Sequence, residues 1–311
     1  MESIEHAMGE LSKATPDGGP LPEAARRLAD NSRLLQTALQ ETDRWLRSSC
    51  PLPQIEAPEG AKRCQVPRAY AASAAFLRAT VFAFEEQALG IYFRAAQEQA
   101  AFEVNELWAL RPLLQLVLLE EIAVTAKRLR TNAGYSGGGL ETGHLDVGVE
   151  LSRLITSLRD IGDADWKELF ERLSGTEDIL RQDPSGAYPR MDFASRDLYR
   201  RTVQELASRS RMGELEVARA VVELACGAKT QWNLEPRAVE RCSHVGYYLV
   251  DKGRSALERQ IGYQPPFSKA ILRVLGHRPE LFYLVGFELL TVAIMAFVLS
   301  GLGTTVPIVW A

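Results

Sequence analysis

The chain has 311 residues, 46% of them hydrophobic, with 36 Lys and Arg against 40 Asp and Glu for a formal net charge of -4. That apolar content excludes a disordered chain and suffices for one large core or two ordinary ones. No basic field exists, so nucleic acid is not an expected partner. Four cysteines, Cys50, Cys64, Cys226 and Cys242, form no CxxC pair and no zinc-like grouping with the four histidines, which predicts reduced thiols in a cytoplasmic compartment. Met1 to Leu21 lacks the apolar core of a signal peptide, so export of this part is not expected.

In chain order, residues 1–20 are expected as a flexible tail, with Pro16, Asp17, Gly18 and Gly19 as breakers. Leu28, Leu34, Leu35, Leu39, Trp45 and Leu46 are spaced for an amphipathic helix over 21–46. Prolines 51, 53, 58 and 67 make a connector. One helix is expected from about Arg68 to Gln99 and a very apolar one from Glu103 to Arg130, whose run from Leu113 to Leu119, bracketed by Arg111 and Glu120, is too short to span a bilayer. The glycine-rich segment 132–140 is the expected boundary between helical subdomains at 21–131 and 141–268. Helices are predicted over Leu145 to Ile161 and over Asp163 to Gln182, with Asp163 as cap.

Asp183 to Gly186 forms a turn, Pro189 follows, and Asp192 is placed to cap a helix bearing Phe193, Tyr199, Val203, Leu206 and Ala207 on its core side. Arg196, Asp197, Arg200 and Arg201 crowd its other side. They read as a structural ion-pair cluster on a capped surface helix, with Asp197 paired to Arg200 or Arg201. A short helix over Gly213 to Cys226, a loop to Pro236 and a helix entry with an amphipathic helix over His244 to Tyr263 follow. No segment alternates with period two, so the expected fold is all-α.

From Leu281 to Leu302 the residues are almost continuously apolar, long enough at about 1.5 Å per residue to cross a hydrocarbon core of about 30 Å. The expected architecture is therefore a multi-helix cytoplasmic domain followed by one C-terminal transmembrane helix. Lys269, Arg273, His277 and Arg278 precede the span in a basic juxtamembrane segment at 269–280, and no positive charge lies in the tail at 303–311. That bias puts residues 1–280 on the cytoplasmic side, with the basic residues on anionic lipid headgroups. Glu288, inside the span, either faces a partner helix or is a tolerated polar residue near its first turns.

Several strings match catalytic patterns by letter and fail on context. Gly134 to Gly138 fits GxSxG without the strand and helix of a nucleophile elbow. Glu141 and His144 have ExxH spacing without the second pair a carboxylate-bridged metal site needs. Asp163-Ala164-Asp165 has DxD form but begins a helix, and the QETDRW string at Gln40 to Trp45 misses a QxxRW acceptor motif by one residue. Trp166, Tyr188, Tyr199, Tyr247 and Tyr248 could stack on sugar, although aromatics at helical spacing are more often core.

Four strings carry a family resemblance: NELWALRPLLQLVLLEEI from Asn105, SLRDIGDADWKELFERLSGTEDILRQDPSGAY from Ser157, DPSGAYPRMDFASRDLYR from Asp183 and HVGYYLVDKGRSALERQIGY from His244. They resemble the region preceding the membrane-embedded transferase of the bacterial cyclic β-1,2-glucan synthases. Pro112 is displaced by one place, and 132–139 is shorter than the family's chain there. The motif residues so marked are Glu106, Trp108, Trp166, Asp183, Tyr188, Asp192, Arg196, Asp197, Arg200, His244, Tyr247, Tyr248, Asp251 and Arg254, with Arg273, Arg278 and Glu288 at the membrane.

The resemblance implies an N-terminal fragment ending after the first membrane span, placed at the bacterial inner membrane. It implies no catalytic, cofactor-binding or metal residue in this chain, since UDP-glucose and a divalent metal belong to the absent transferase. The implied partners are membrane lipid and the missing transferase and transmembrane region of the same polypeptide, in a supporting or regulatory role. The alternative is an independent membrane-anchored helical interaction module.

Overall fold

In the computed structural model the described residues are 23–48, 52–56, 65–133, 141–230, 235–265, 287–288 and 290–298. The elements are α1 (Glu23–Asp30), α2 (Ser32–Ser48), β1 (Gln54–Glu56), β2 (Gln65–Pro67), α3 (Arg68–Ala79), α4 (Glu86–Gln99), α5 (Val104–Ala133) and α6 (Glu141–Asp163). They continue with α7 (Trp166–Leu173), α8 (Gly175–Leu180), a 3-10 turn (Tyr188–Arg190), α9 (Phe193–Ala207), α10 (Glu214–Lys229), α11 (Pro236–Cys242), α12 (Val245–Val250) and α13 (Arg254–Gln260).

The fold is mostly helical, as the periodicity predicts. One departure is the antiparallel pair β1 and β2, in register Ile55 to Val66, inside the proline-rich connector. Three-residue strands are too short to leave a period-two signature. A second departure splits the helix expected over 68–99. Val81 and Phe82 adopt left-handed backbone, φ 53° and 58°, an unusual conformation for a β-branched residue. Phe82 N–H closes α3 on Leu77 O at 2.6 Å. Ser157 of α6 fixes this corner, its hydroxyl donating to Phe82 O at 2.7 Å and accepting from Phe84 N–H at 3.0 Å. Pro112 lies within α5 without ending it.

The apolar core falls into two clusters. The first runs from Leu28 to Leu173 and is centred on α5, whose Leu110, Leu113, Leu114, Leu118 and Leu119 are buried among α2, α3, α6 and α7. The second runs from Leu180 to Ile261 and packs α9, α10, α12 and α13 around Val203, Leu206, Val217, Val221 and Leu249. The change from one cluster to the other comes between Leu173 and Leu180. The glycine-rich boundary expected at 132–140 lies almost wholly outside the described residues, as do the tail at 1–20, the basic segment at 269–280 with Arg273 and Arg278, and residues 303–311.

Among the described residues no helix is long and apolar enough to cross a membrane. The span expected at 281–302 lies half outside them. Its described part, at 287–288 and 290–298, is helical and exposed, including Phe287, Glu288, Met295 and Phe297.

Candidate functional site

The first of two polar clusters forms where the chain leaves α8. Gly186 takes φ +65° in the turn that follows Asp183, folding the chain back over the Asp183 carboxylate. Asp183 Oδ2 accepts from Ser185 Oγ at 2.6 Å and from the amides of Ala187 and Tyr188 at 3.1 and 3.0 Å, and pairs with His244 Nδ1 at 3.1 Å. Oδ1 accepts from Val245 N–H at 3.1 Å, at the first turn of α12. One buried carboxylate therefore ties a local turn to a helix start about sixty residues away. Burial opposes its ionisation, but the donors from His244, Ser185, Tyr188 and Val245 prevail and hold it well below the usual carboxylate range.

His244 completes the knot through Nε2, 3.3 Å from the Tyr199 hydroxyl of α9. Ser, His and Asp meet here, yet not as a catalytic relay. A relay needs Asp on one imidazole nitrogen and Ser on the other, whereas Ser185 and Asp183 both face Nδ1 and Ser185 bonds Asp183 directly. Gly246 is a packing requirement of the knot: a Cβ there would meet the Tyr199 hydroxyl and lie 2.7 Å from His244 Nε2. Gly246→Ala is expected to cost about 3 kcal/mol through overpacking, read as a shifted urea midpoint. An unchanged midpoint would show that this region yields freely.

The second cluster centres on Glu177, fully buried at 0% exposure. Ser174 caps α8 by accepting from Glu177 N–H at 3.2 Å, which fixes the glutamate in the first turn, facing α9. Its Oε1 accepts from Arg181 Nε at 2.9 Å and Arg196 Nη1 at 2.8 Å. Oε2 accepts from the Tyr188 hydroxyl at 2.7 Å and Arg200 Nη1 at 2.5 Å. Arg196 and Arg181 also reach Glu171, at 2.7 and 3.1 Å.

Arg200 is likewise 0% exposed. Its guanidinium stands 4.9 Å from the ring centres of both Phe170 and Phe193, where the ring faces supply favourable charge–quadrupole contact. Trp108 of α5 stacks on Phe170 at 4.5 Å and meets Phe193 edge-on at 6.0 Å, joining the network to the first core cluster. Burial pushes Glu177 toward neutrality, but Tyr188 and Arg200 outweigh it and its carboxyl is held below its ordinary value. Tyr188 moves the other way, raised by burial and by the adjacent Glu177 charge.

This geometry lies within the strings that resemble the glucan synthases. The chain is 25% identical over 329 aligned residues to cyclic beta-(1,2)-glucan synthase NdvB of Rhizobium meliloti (strain 1021), over 82% of this chain and 11% of that protein. The chain is thus similar to a segment of that synthase. It spans about a ninth of the length of that relative. No family model matches. The aligned length exceeds the 311 residues present, so the synthase carries additional residues within the matched region.

Other residues of the glucan-synthase strings are also committed to structure. Glu106 is buried, bonded to both Arg68 nitrogens that face it and to Glu103 N–H at 2.9 Å. Trp166 donates to Ile161 O at 2.7 Å and packs against Phe84. Asp192 caps α9 on Ser195 N–H at 2.7 Å. Arg254 bonds Glu258 at 3.0 Å and lies 3.6 Å from Glu205; Asp251 is exposed. Tyr247 and Tyr248 meet edge-to-face at 5.1 Å, with Arg241 on the Tyr247 ring and Gly253 so close that a Cβ would lie 2.5 Å from Tyr247 Cδ1.

The structure corrects the sequence reading at two points. The charged side of α9 is not a solvated face: Arg200 is buried and its main partner is Glu177, while Asp197 holds Arg201 at 2.7 Å and only grazes Arg200 at 3.5 Å. The cap of α7 is Asp165, whose carboxylate accepts from Lys167 and Glu168 amides, and not Asp163. Glu177, Glu171, Ser185 and Arg68 were missed. Ser174-x-x-Glu177 has capping-box form, a signal for a helix start that says nothing of three arginines.

Beside the knot lies a groove of about 860 Å³, lined in part by Ser185, Arg190, Lys229, Glu240 and His244. Both imidazole nitrogens already have partners, Lys229 Nζ donates to Pro184 O and Arg190 Nε to Gly186 O. Among the described residues no group of three or more His, Cys, Asp or Glu could hold a metal ion.

Proposed function

We propose that this chain is a supporting, non-catalytic helical region of a cyclic β-1,2-glucan synthase-like glucosyltransferase, carrying its first membrane anchor. The observation that supports the supporting role is that the Glu177 and Asp183 carboxylates and both His244 nitrogens are held by partners from other segments of the same chain, which suits a rigid platform. UDP-glucose and a divalent metal would bind to the transferase region and not here. The partners would be that region and membrane lipid.

The anchor reading rests on the apolar run at 281–302 and on the exposed apolar side chains of its helical part at 287–288 and 290–298. It puts the chain at the bacterial inner membrane with residues 1–280 cytoplasmic. Two measurements test the proposal. The chain should stay in the membrane pellet after alkaline extraction, and lose that association when 281–302 are deleted. Supplied to membranes holding the transferase region, it should raise glucan synthesis from UDP-glucose while consuming none alone. UDP-glucose turnover by the purified chain would overturn the supporting role, and binding to an unrelated partner with no effect on synthesis would favour an independent interaction module.

A further inference from the structure

Away from both clusters, the C-terminal end of α9 meets the point where the chain leaves the second core. Gln264 N–H donates to Arg209 O at 2.9 Å, and Tyr263 N–H donates to Glu258 O at 2.9 Å. These bonds fix residues 263–264 beside the loop at 208–213 that joins α9 to α10. The loop is itself braced, since Ser210 Oγ donates to Ala207 O at 3.3 Å and accepts from Met212 N–H at 3.2 Å. Ser210 and Met212 are half-buried while Arg209 and Arg211 stand exposed, so a fixed turn presents two guanidiniums outward. Arg259, in the last turn of α13, is exposed as well.

The acids of this corner are already engaged. Glu205 and Glu258 flank Arg254 at 3.6 and 3.0 Å, and Glu216 turns back to accept from Gly213 N–H at 2.9 Å. Among the described residues no carboxylate pairs with Arg209, Arg211 or Arg259. Their counter-charge must come from outside the chain, and their full exposure suits a broad surface better than a small ligand. Residues 266–280 alone separate this corner from the apolar run at 281–302, and they carry Lys269, Arg273 and Arg278 against one acid, Glu280. Fully extended, those fifteen residues reach at most about 50 Å.

We propose that the corner bearing Arg209, Arg211 and Arg259 is a docking face for an anionic lipid surface, laying the second helical core against the leaflet next to its own anchor. The inference rests on the anchor reading of 281–302, which holds this corner within reach of the bilayer. Arginine forks match lipid phosphates, each of which can accept two parallel N–H bonds. An anionic leaflet attracts exposed cations within a Debye length, about 8 Å at physiological salt. Because the hydrogen bonds of Ser210 and Gln264 set the backbone beforehand, docking orders little beyond the arginine side chains.

Hydrogen exchange of the whole chain in vesicles tests this, with phosphatidylcholine alone set against phosphatidylcholine mixed with phosphatidylglycerol. Exchange at 208–213 and 259–264 should be slower by about tenfold or more on the anionic vesicles, since each guanidinium near such a leaflet favours contact by about fivefold. Salt at about 1 M, where the Debye length shrinks to about 3 Å, should erase the difference. So should Arg209→Gln combined with Arg211→Gln, at exposed positions where the fold does not depend on the charge. Equal exchange on both vesicles, or a difference that persists in the double variant, overturns the docking face, while retention of the chain in both vesicle fractions leaves the anchor standing. Loss from the neutral vesicles alone, with slowed exchange on the anionic ones, sustains the docking face and refutes the anchor. A chain found in neither fraction overturns both.

Discussion

Glu177→Gln should lower the melting temperature by about 10 °C, combining about 3–5 kcal/mol for breaking a buried ion network with about 2–4 °C per kcal/mol for a domain of this size. The substitution keeps the volume and removes the charge. Arg200, fully buried between Phe170 and Phe193, loses its 2.5 Å partner, and Arg196, largely buried, keeps Glu171 alone. Asp197 cannot replace Glu177, because its contact to Arg200 is 3.5 Å and it is already held by Arg201. Both core clusters contribute to this contact, Phe170 to the first and Tyr188 to the second, so a single cooperative transition at lower temperature is expected. A melting temperature unchanged within error would mean that the arginines find solvent, and the network would lose its structural role.

Asp183→Asn should cost about 3 kcal/mol at neutral pH, the scale of several hydrogen bonds to a buried charged group, and should also flatten the acid side of the stability curve. The asparagine amide must place a donor toward either Val245 N–H or the amides of Ala187 and Tyr188, each itself a donor. Asp183 has a folded pKa below its ordinary value of 3.8. Its stabilisation is therefore fully present above about pH 4 and is lost as pH falls through the folded value. Glu177, lowered in the same direction, keeps part of the acid slope in the variant, so the slope should shrink without vanishing. Urea titrations of both proteins at pH 7 and across the acid range would show it, and parallel curves offset by a constant would refute the assignment of that slope to Asp183.

Local chemistry was legible wherever a residue acts on its own neighbourhood. Asp192 as a cap, the turn at Asp183 to Gly186 and the core stripe of α9 at Tyr199, Val203 and Leu206 all depend on spacings of a few residues. Periodicity marked α5 and α10 for the same reason. The break at Val81 and Phe82 left no such mark, because nothing in their side chains favours left-handed backbone; Ser157, more than seventy residues away, holds the corner. The two three-residue strands were equally silent.

Sequence by itself determined the all-α class, most helix positions and, through four strings, a resemblance to a segment of the cyclic β-1,2-glucan synthases, since helical spacing and side-chain identity are local properties. Only the tertiary structure decided what the motif residues do. Arg200 was one arginine among several on a charged helix until packing placed Phe170, Phe193 and Glu177 around it. His244 was a lone histidine until the fold brought Asp183 and Tyr199 to its two nitrogens. Burial and partnership set the worth of a charge, and both come from segments that the chain brings together only on folding.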